Sequence, residues 1–125
     1  MPTRILIVDD HEVVRMGIRM LFPASGPLQV CGEAGDGANA LEKVVELSPD
    51  VVILDLTMPG MNGFETAARM RQIAPWVKIV FFSIHEIPTA ARLSGGDAFI
   101  SKSSTPQDLV ATVNRVMQSG RNMQA

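Results

Sequence analysis

Apolar residues along the chain fall into short β-branched runs separated by stretches of helical periodicity. Ile5-Leu6-Ile7-Val8, Val51-Val52-Ile53-Leu54 and Val77-Lys78-Ile79-Val80-Phe81-Phe82 are nearly unbroken apolar runs of strand length. Runs of this kind predict strands buried on both faces. Leu28-Gln29-Val30-Cys31 alternates, as an edge strand does, and Ala98-Phe99-Ile100 is a short last strand. Between the runs, Val14, Ile18, Leu21 and Phe22 recur at helical spacing before Pro23, and Leu41, Val44 and Val45 do so before Ser48-Pro49. Phe64, Ala67 and Ala68 follow Asn62, a suitable N-cap, and that helix ends before Pro75. The last helix has Thr105 as cap, Pro106 in its first turn and a stripe of Leu109, Val113, Val116 and Met117, with Gly120 as its stop.

The order is strand then helix, five times over. That predicts an α/β fold, a (βα)5 three-layer sandwich with a parallel five-stranded sheet between two helix layers. One domain is expected over residues 1–120, with residues 121–125 a tail or the start of a linker. In a parallel sheet the carboxyl ends of the strands form the edge where ligands bind. Polar residues stand there in turn: Asp9 and Asp10 after the first strand, Asp55 after the third, Ser83 after the fourth and Lys102 after the fifth.

With the flavodoxin-like strand order 2-1-3-4-5, the first and third strands are neighbours about 4.8 Å apart, and Asp9, Asp10 and Asp55 converge. Two unit charges ~4 Å apart repel by roughly 4 kcal/mol at an effective dielectric near 20. A proton or a cation must relieve this. Oxygen ligands with room for water suit Mg2+. Together the parts point to phosphoryl chemistry. Asp55 is the candidate nucleophile, Lys102 and a cation would neutralise the phosphoryl oxygens, and Ser83 would donate a hydroxyl. In "DLTMPGMNG" Thr57 stays beside the site while Pro59-Gly60 turns the chain away.

Composition narrows the reading. The 125 residues are 46% hydrophobic, enough for the core of one domain, and the formal charge of -2 argues against gripping nucleic acid by electrostatics alone. The single Cys31 excludes an intrachain disulfide and a cysteine-based zinc site, and is expected to be a small buried hydrophobe. The methionines are expected to fill gaps in the core. No apolar run approaches the ~18 residues of a membrane span, and one Arg before a short apolar run is not a signal peptide. The expectation is a soluble, cytoplasmic protein without a membrane partner.

The chain resembles a response-regulator receiver domain, the phospho-acceptor half of bacterial two-component signalling. The resemblance spans residues 4 to about 120 and rests on "ILIVDDHEVVRMGI", "DVVILDLTMPGMNGFE", Ser83 after "KIVFF", and "AFISK", in that order. It implies that a sensor histidine kinase phosphorylates Asp55. Transfer would be self-catalysed and autodephosphorylation slow, so the domain is a phospho-acceptor and not an enzyme. It implies that Asp10 and Asp55 ligate Mg2+ directly, Asp9 through water and Thr57 through its backbone carbonyl, with Mn2+ able to substitute. Ser83 and Lys102 would bind the phosphoryl group. Ser83 and Phe99 match the positions that switch on activation. The "DDH" start and "STPQDLVATVNRVMQSG" end are most similar to the nitrate-response or LuxR-type subgroup. That similarity implies a transcriptional output through a DNA-binding domain absent from this chain, with a homodimer as a further partner.

Three features depart from the family pattern. Ser103 follows Lys102 where a proline is usual, and bulky Ile84 follows Ser83 where many receivers have a small residue. The interval from Ser83 to Lys102 is 19 residues, about three short of the family expectation, and Pro88 lies within it. Three residues are nearly one helical turn, so "IPTAARLSGGD" is expected to form a shortened fourth helix with a glycine-rich exit and a reshaped output face.

Plainer roles stand beside these. One carboxylate of Asp9 and Asp10 could simply cap the first helix, and metal binding and dipole stabilisation can coexist there. Ser83 could cap a helix, Lys102 could be a surface lysine and Phe99 a core aromatic. His11 could pack along the first helix's opening turn or join the metal site. His85, two residues past Ser83, could influence water attack on a phosphoaspartate. A haloacid-dehalogenase-like phosphatase needs an Asp where Thr57 stands. Dinucleotide binding needs a glycine-rich turn where the chain reads DDHEVV. A degenerate receiver, acting as a phosphorylation-independent interaction module, is the alternative.

Overall fold

The computed structural model describes residues 1–84 and 95–122, with side chains through residue 118. Strands β1 (Thr3–Val8), β2 (Leu28–Ala34), β3 (Val51–Asp55), β4 (Lys78–Ser83) and β5 (Ala98–Ser101) form one sheet in the order β2-β1-β3-β4-β5. Every neighbouring pair is parallel. The described helices are α1 (Glu12–Arg19), α2 (Gly37–Leu47), α3 (Gly63–Ile73) and α4 (Pro106–Asn122). The expected order and the two helix layers are therefore present. Residues 87–94 of "IPTAARLSGGD", the stretch expected to form the shortened fourth helix and its glycine-rich exit, and His85 lie outside the described residues.

Strand alternation sorts the core into two halves. Leu6, Val8, Val52, Leu54, Ile79 and Phe81 face Ala40 and Val44 of α2 and Ala67 and Met70 of α3. Ile5, Ile7, Val51, Ile53 and Val80 face Ile18 of α1 and Leu109, Val113 and Val116 of α4. The same alternation aims the polar residues. Asp9 continues the parity of Ile5 and Ile7, Asp55 that of Val51 and Ile53, and Lys102 that of Ala98 and Ile100. All three thus belong to the α1/α4 side of the carboxyl edge.

Helix ends follow their local chemistry. Asn62 and Glu65 make a reciprocal capping box at α3, with Asn62 Oδ1 accepting from the Glu65 N–H at 2.9 Å. Thr105 and Asp108 do the same for α4, at 3.2 and 3.1 Å. Ser48 closes α2 in the left-handed region, φ 48°. The start of α1 has no side-chain cap: His11 occupies the N-cap position, and neither Asp9 nor Asp10 serves there.

Several expectations need correction. β2 runs three residues past Cys31, because a bulge lets the strand stay paired: Ile5 pairs with Val30 but Leu6 with Gly32. Cys31 is the extra residue and is half-buried, not a core residue. α4 continues through Gly120 to Asn122, since one glycine costs a helix only about 1 kcal/mol. α1 stops at Arg19, and Leu21 and Phe22 follow in tighter turns bonded to Ile18 and Arg19 carbonyls. Met58 and Met70 fill the core, but Met16 and Met20 on α1 are exposed.

Candidate functional site

Asp9 is the most constrained residue of the carboxyl edge. Its side chain is buried, and every polar atom it owns is engaged. Its N–H donates to the Ala34 carbonyl at 3.1 Å, and its own carbonyl accepts from Arg15 Nη1 at 2.6 Å. Oδ1 accepts the His11 N–H at 2.8 Å, and Oδ2 accepts Lys102 Nζ at 2.7 Å. Lys102 is itself mostly buried; its Nζ lies 3.5 Å from Asp55 Oδ1 and 5.7 Å from the centre of the Phe82 ring. The Lys102 main chain donates to the Ser83 carbonyl at 2.8 Å, which joins the ends of β4 and β5 behind the side chain.

Asp55 ends β3 and is 3% exposed. Oδ1 accepts the Thr57 N–H at 3.2 Å. Burial pushes its pKa up from the ordinary carboxylate value, and the Asp9 charge pushes it the same way. The Thr57 N–H and the Lys102 ammonium pull it back, and Asp10 adds a smaller upward push. Asp10 completes the acidic group. Its Oδ1 is buried and accepts no hydrogen bond among the described residues; His11 Nδ1 is 3.1 Å away, but not in hydrogen-bonding geometry. Ligand atoms of Asp9, Asp10, His11 and Asp55 all lie within 4.8 Å of one another. An oxygen-rich, crowded and under-satisfied set of this kind fits a hard divalent cation.

The local sequence explains why Asp55 points into this space. Gly60, with φ 76°, supplies the left-handed step that ends the turn after Pro59. Gly63 opens α3 directly against the end of β3, its N–H donating to the Leu56 carbonyl at 3.0 Å. A Cβ at Gly63 would sit 2.5 Å from the Asp55 carbonyl oxygen and 2.6 Å from Leu56 Cα. An open cleft of about 250 Å3, lined by His11, Val14, Asp55, Thr57, Ile84 and Lys102, leads to the acids.

The expected residues are placed as follows. Asp9, Asp10, Asp55 and Lys102 come together, and Thr57 and exposed Ile84 border them. Ser83 ends β4 next to β3, buried, with Ser101 of β5 as its register partner. Phe99 stacks on Phe81, ring centres 4.8 Å apart at 43°, and Phe81 stacks in turn on Phe64 at 5.3 Å. His11 does not merely pack along α1; its exposed ring leans on Asp9 and Asp10. Sequence reasoning missed Gly63, Arg15 and Glu33. The Arg15/Arg19 spacing of four was the available signal, but its partner became visible only with the full length of β2.

Comparison with known proteins agrees with this fold. The response regulator receiver domain family matches residues 5–114. The nitrate/nitrite response regulator protein NarL of Escherichia coli is 37% identical over 117 residues, 91% of this chain and 54% of that protein. The chain thus spans about half the length of the curated relatives it matches. A LuxR-family two-component response regulator from an Aurantimonas species superposes with a TM-score of 0.87 at 33% identity, covering 95% of this chain and 87% of the other. The receiver domain of a NarL response regulator from Mycobacterium tuberculosis gives 0.83 at 35%, covering 93% and 97%.

Proposed function

The chain belongs to the response regulator receiver domain family, and from that premise we propose that Asp55 accepts a phosphoryl group from a sensor histidine kinase. The observation that carries this reading is Lys102 Nζ held between Asp9 and Asp55, at 2.7 and 3.5 Å, beside an Asp10 oxygen with no hydrogen bond. An Asp55 carboxylate oxygen attacks phosphorus while the bond from phosphorus to the donor's histidine nitrogen breaks. The electron pair leaves with the imidazole, and an acyl phosphate remains on Asp55. Lys102 then exchanges its ion pair to meet a phosphoryl oxygen, and the Ser83 hydroxyl donates to another.

Asp10, Asp55 and the Thr57 carbonyl would hold Mg2+ directly, with Mn2+ as a substitute, and Asp9 would act through water. Asp9 is suited to the outer role because its two oxygens already accept from His11 and Lys102, whereas Asp10 Oδ1 accepts from nothing. A bound divalent cation supplies charge neutralisation for the transferring phosphoryl oxygens. The small exposed fraction of Asp55 would limit the competition of water with Asp55 for the phosphoryl group and slow the later hydrolysis.

Phosphorylation would shift the Ser83 and Phe99 region and so control an output, through transcription by a DNA-binding domain outside this chain, with a homodimer as the responding form. The domain would act in the cytoplasm; among the described residues no helix is long and apolar enough to cross a membrane. The test is intact mass after incubation with acetyl phosphate, with and without Mg2+. One added phosphoryl group that needs both Mg2+ and Asp55 supports the reading. Full labelling of Asp55→Asn would remove Asp55 from its role.

A further inference from the structure

Arg15 has no part in the chemistry just described, yet it touches the backbone that carries the acids. It lies in α1, and its side chain runs back toward the helix N-terminus, as long helical side chains do. Nη1 donates to the Asp9 carbonyl at 2.6 Å, and Nε donates to Glu33 Oε1 at 3.1 Å. Arg19, one turn later, donates to the other Glu33 oxygen. Both Glu33 oxygens are therefore committed, and the guanidinium of Arg15 is fixed in plane and direction.

The Asp9 carbonyl sits just past the last paired residue of β1, where the sheet no longer supplies a donor to it. A carbonyl there needs a partner, and Arg15 is that partner. This carbonyl belongs to the peptide linking Asp9 to Asp10. Its orientation sets the direction in which the Asp10 side chain leaves the backbone.

The β2 bulge delivers Glu33. Because Cys31 is the extra residue, Glu33 pairs with Ile7, whose side chain faces α1 and α4. Without the bulge the register would slip by one, Glu33 would pair with Val8, and its carboxylate would face the opposite helix layer. Bulges near functional sites re-aim side chains in this way.

We propose that Arg15, aligned by Glu33, is a positioning residue that holds the Asp9–Asp10 peptide and thereby sets the Asp10 carboxylate for a divalent cation. The inference rests on the metal-dependent reading of the site. It predicts that Arg15→Ala and Glu33→Gln bind Mg2+ more weakly by roughly 10–100-fold, the usual effect of removing a group that orients a ligand. Arg15→Lys should fail to rescue, because an ammonium cannot bond Glu33 and the Asp9 carbonyl in one fixed plane.

Calorimetric titration of the whole chain with Mg2+ reads this directly, alongside a thermal melt and acetyl phosphate labelling at saturating Mg2+. Labelling that returns to near the wild-type rate once Mg2+ saturates, with no additivity between Arg15→Ala and Glu33→Gln, supports a role through the ligand. Mg2+ affinities within twofold of wild type, or full rescue by Arg15→Lys, overturn the inference. If Arg15→Ala does not fold, Glu33→Gln and Arg15→Lys decide. A wild-type chain that neither binds Mg2+ nor takes a phosphoryl group would instead defeat the phospho-acceptor reading.

Discussion

Lys102 Nζ donates to Asp9 Oδ2 across 2.7 Å, although 93 positions separate the two residues in the chain. The Asp9 carboxylate is about 1% exposed, so this ammonium is its main source of opposite charge among the described residues. Removing one partner of a buried ion pair leaves the other uncompensated and costs about 3 kcal/mol. Lys102→Ala should therefore lower the urea midpoint of the metal-free chain while leaving the slope unchanged. Mg2+ should recover part of the loss and bind more tightly than in wild type, because a competing cation is gone. An unchanged midpoint would mean that the pair contributes nothing to stability.

Asp55 gives the site a pH dependence. Its folded pKa is raised by burial and by Asp9, so the folded chain holds a proton that the unfolded chain has already released. Such a group contributes its full stability below the unfolded carboxylate pKa, and that contribution is lost as pH rises through the folded value. Relative to Asp55→Asn, the metal-free wild-type chain should lose melting temperature as pH rises from the ordinary carboxylate pKa through the raised folded value. Saturating Mg2+ should also raise the neutral-pH end in wild type and not in the variant. A wild-type melting temperature that gains on that of the variant over the same interval would contradict the sign.

The strands and the five strand-end residues were legible because the central strands, buried on both faces, write themselves as nearly unbroken apolar runs with polar residues following their carboxyl ends; the spatial order 2-1-3-4-5 was a supposition that the strand pairing bears out. Helix starts at Asn62 and Thr105 were legible because their caps are local, within three residues. The β2 bulge was not. Leu28 to Cys31 alternates cleanly, and the extra residue shows only in the pairing with β1, a long-range fact. Arg15 and Glu33 were hidden for the same reason. So was the role of Gly63, since "MNG" looks like turn chemistry until α3 is seen to start against the Asp55 carbonyl.

Gly63 can be tested by adding one methyl group. A Cβ would meet backbone atoms, the Asp55 carbonyl oxygen and Leu56 Cα, neither of which can step aside as a side-chain tip can. Gly63→Ala should force α3 away from β3, destabilise the fold by about 1–3 kcal/mol and slow Mg2+-dependent labelling of Asp55. Gly60→Ala is the control, because it meets no neighbour and carries only the strain of its positive φ. If the two variants melt alike and label alike, close packing at Gly63 is not what places Asp55.

Asp9 and Asp10 adjoin in sequence but should respond to the same substitution with opposite signs. Asp9→Asn removes the charge that Lys102 is paired with, while the amide oxygen can still accept from the His11 N–H. That variant should lose about 1–3 kcal/mol and keep weakened Mg2+ binding, since its role is through water. Asp10→Asn removes a negative charge that raises Asp55 and an oxygen that accepts no hydrogen bond. The metal-free protein should then be as stable as wild type or more so, because the repulsion among three carboxylates falls. Mg2+ binding should be abolished, with labelling by acetyl phosphate lost at all practical Mg2+ concentrations. Denaturant curves without metal, paired with Mg2+ titrations of the same two variants, separate the cases. Equal losses of stability and of affinity in both would show that the two acids share one role.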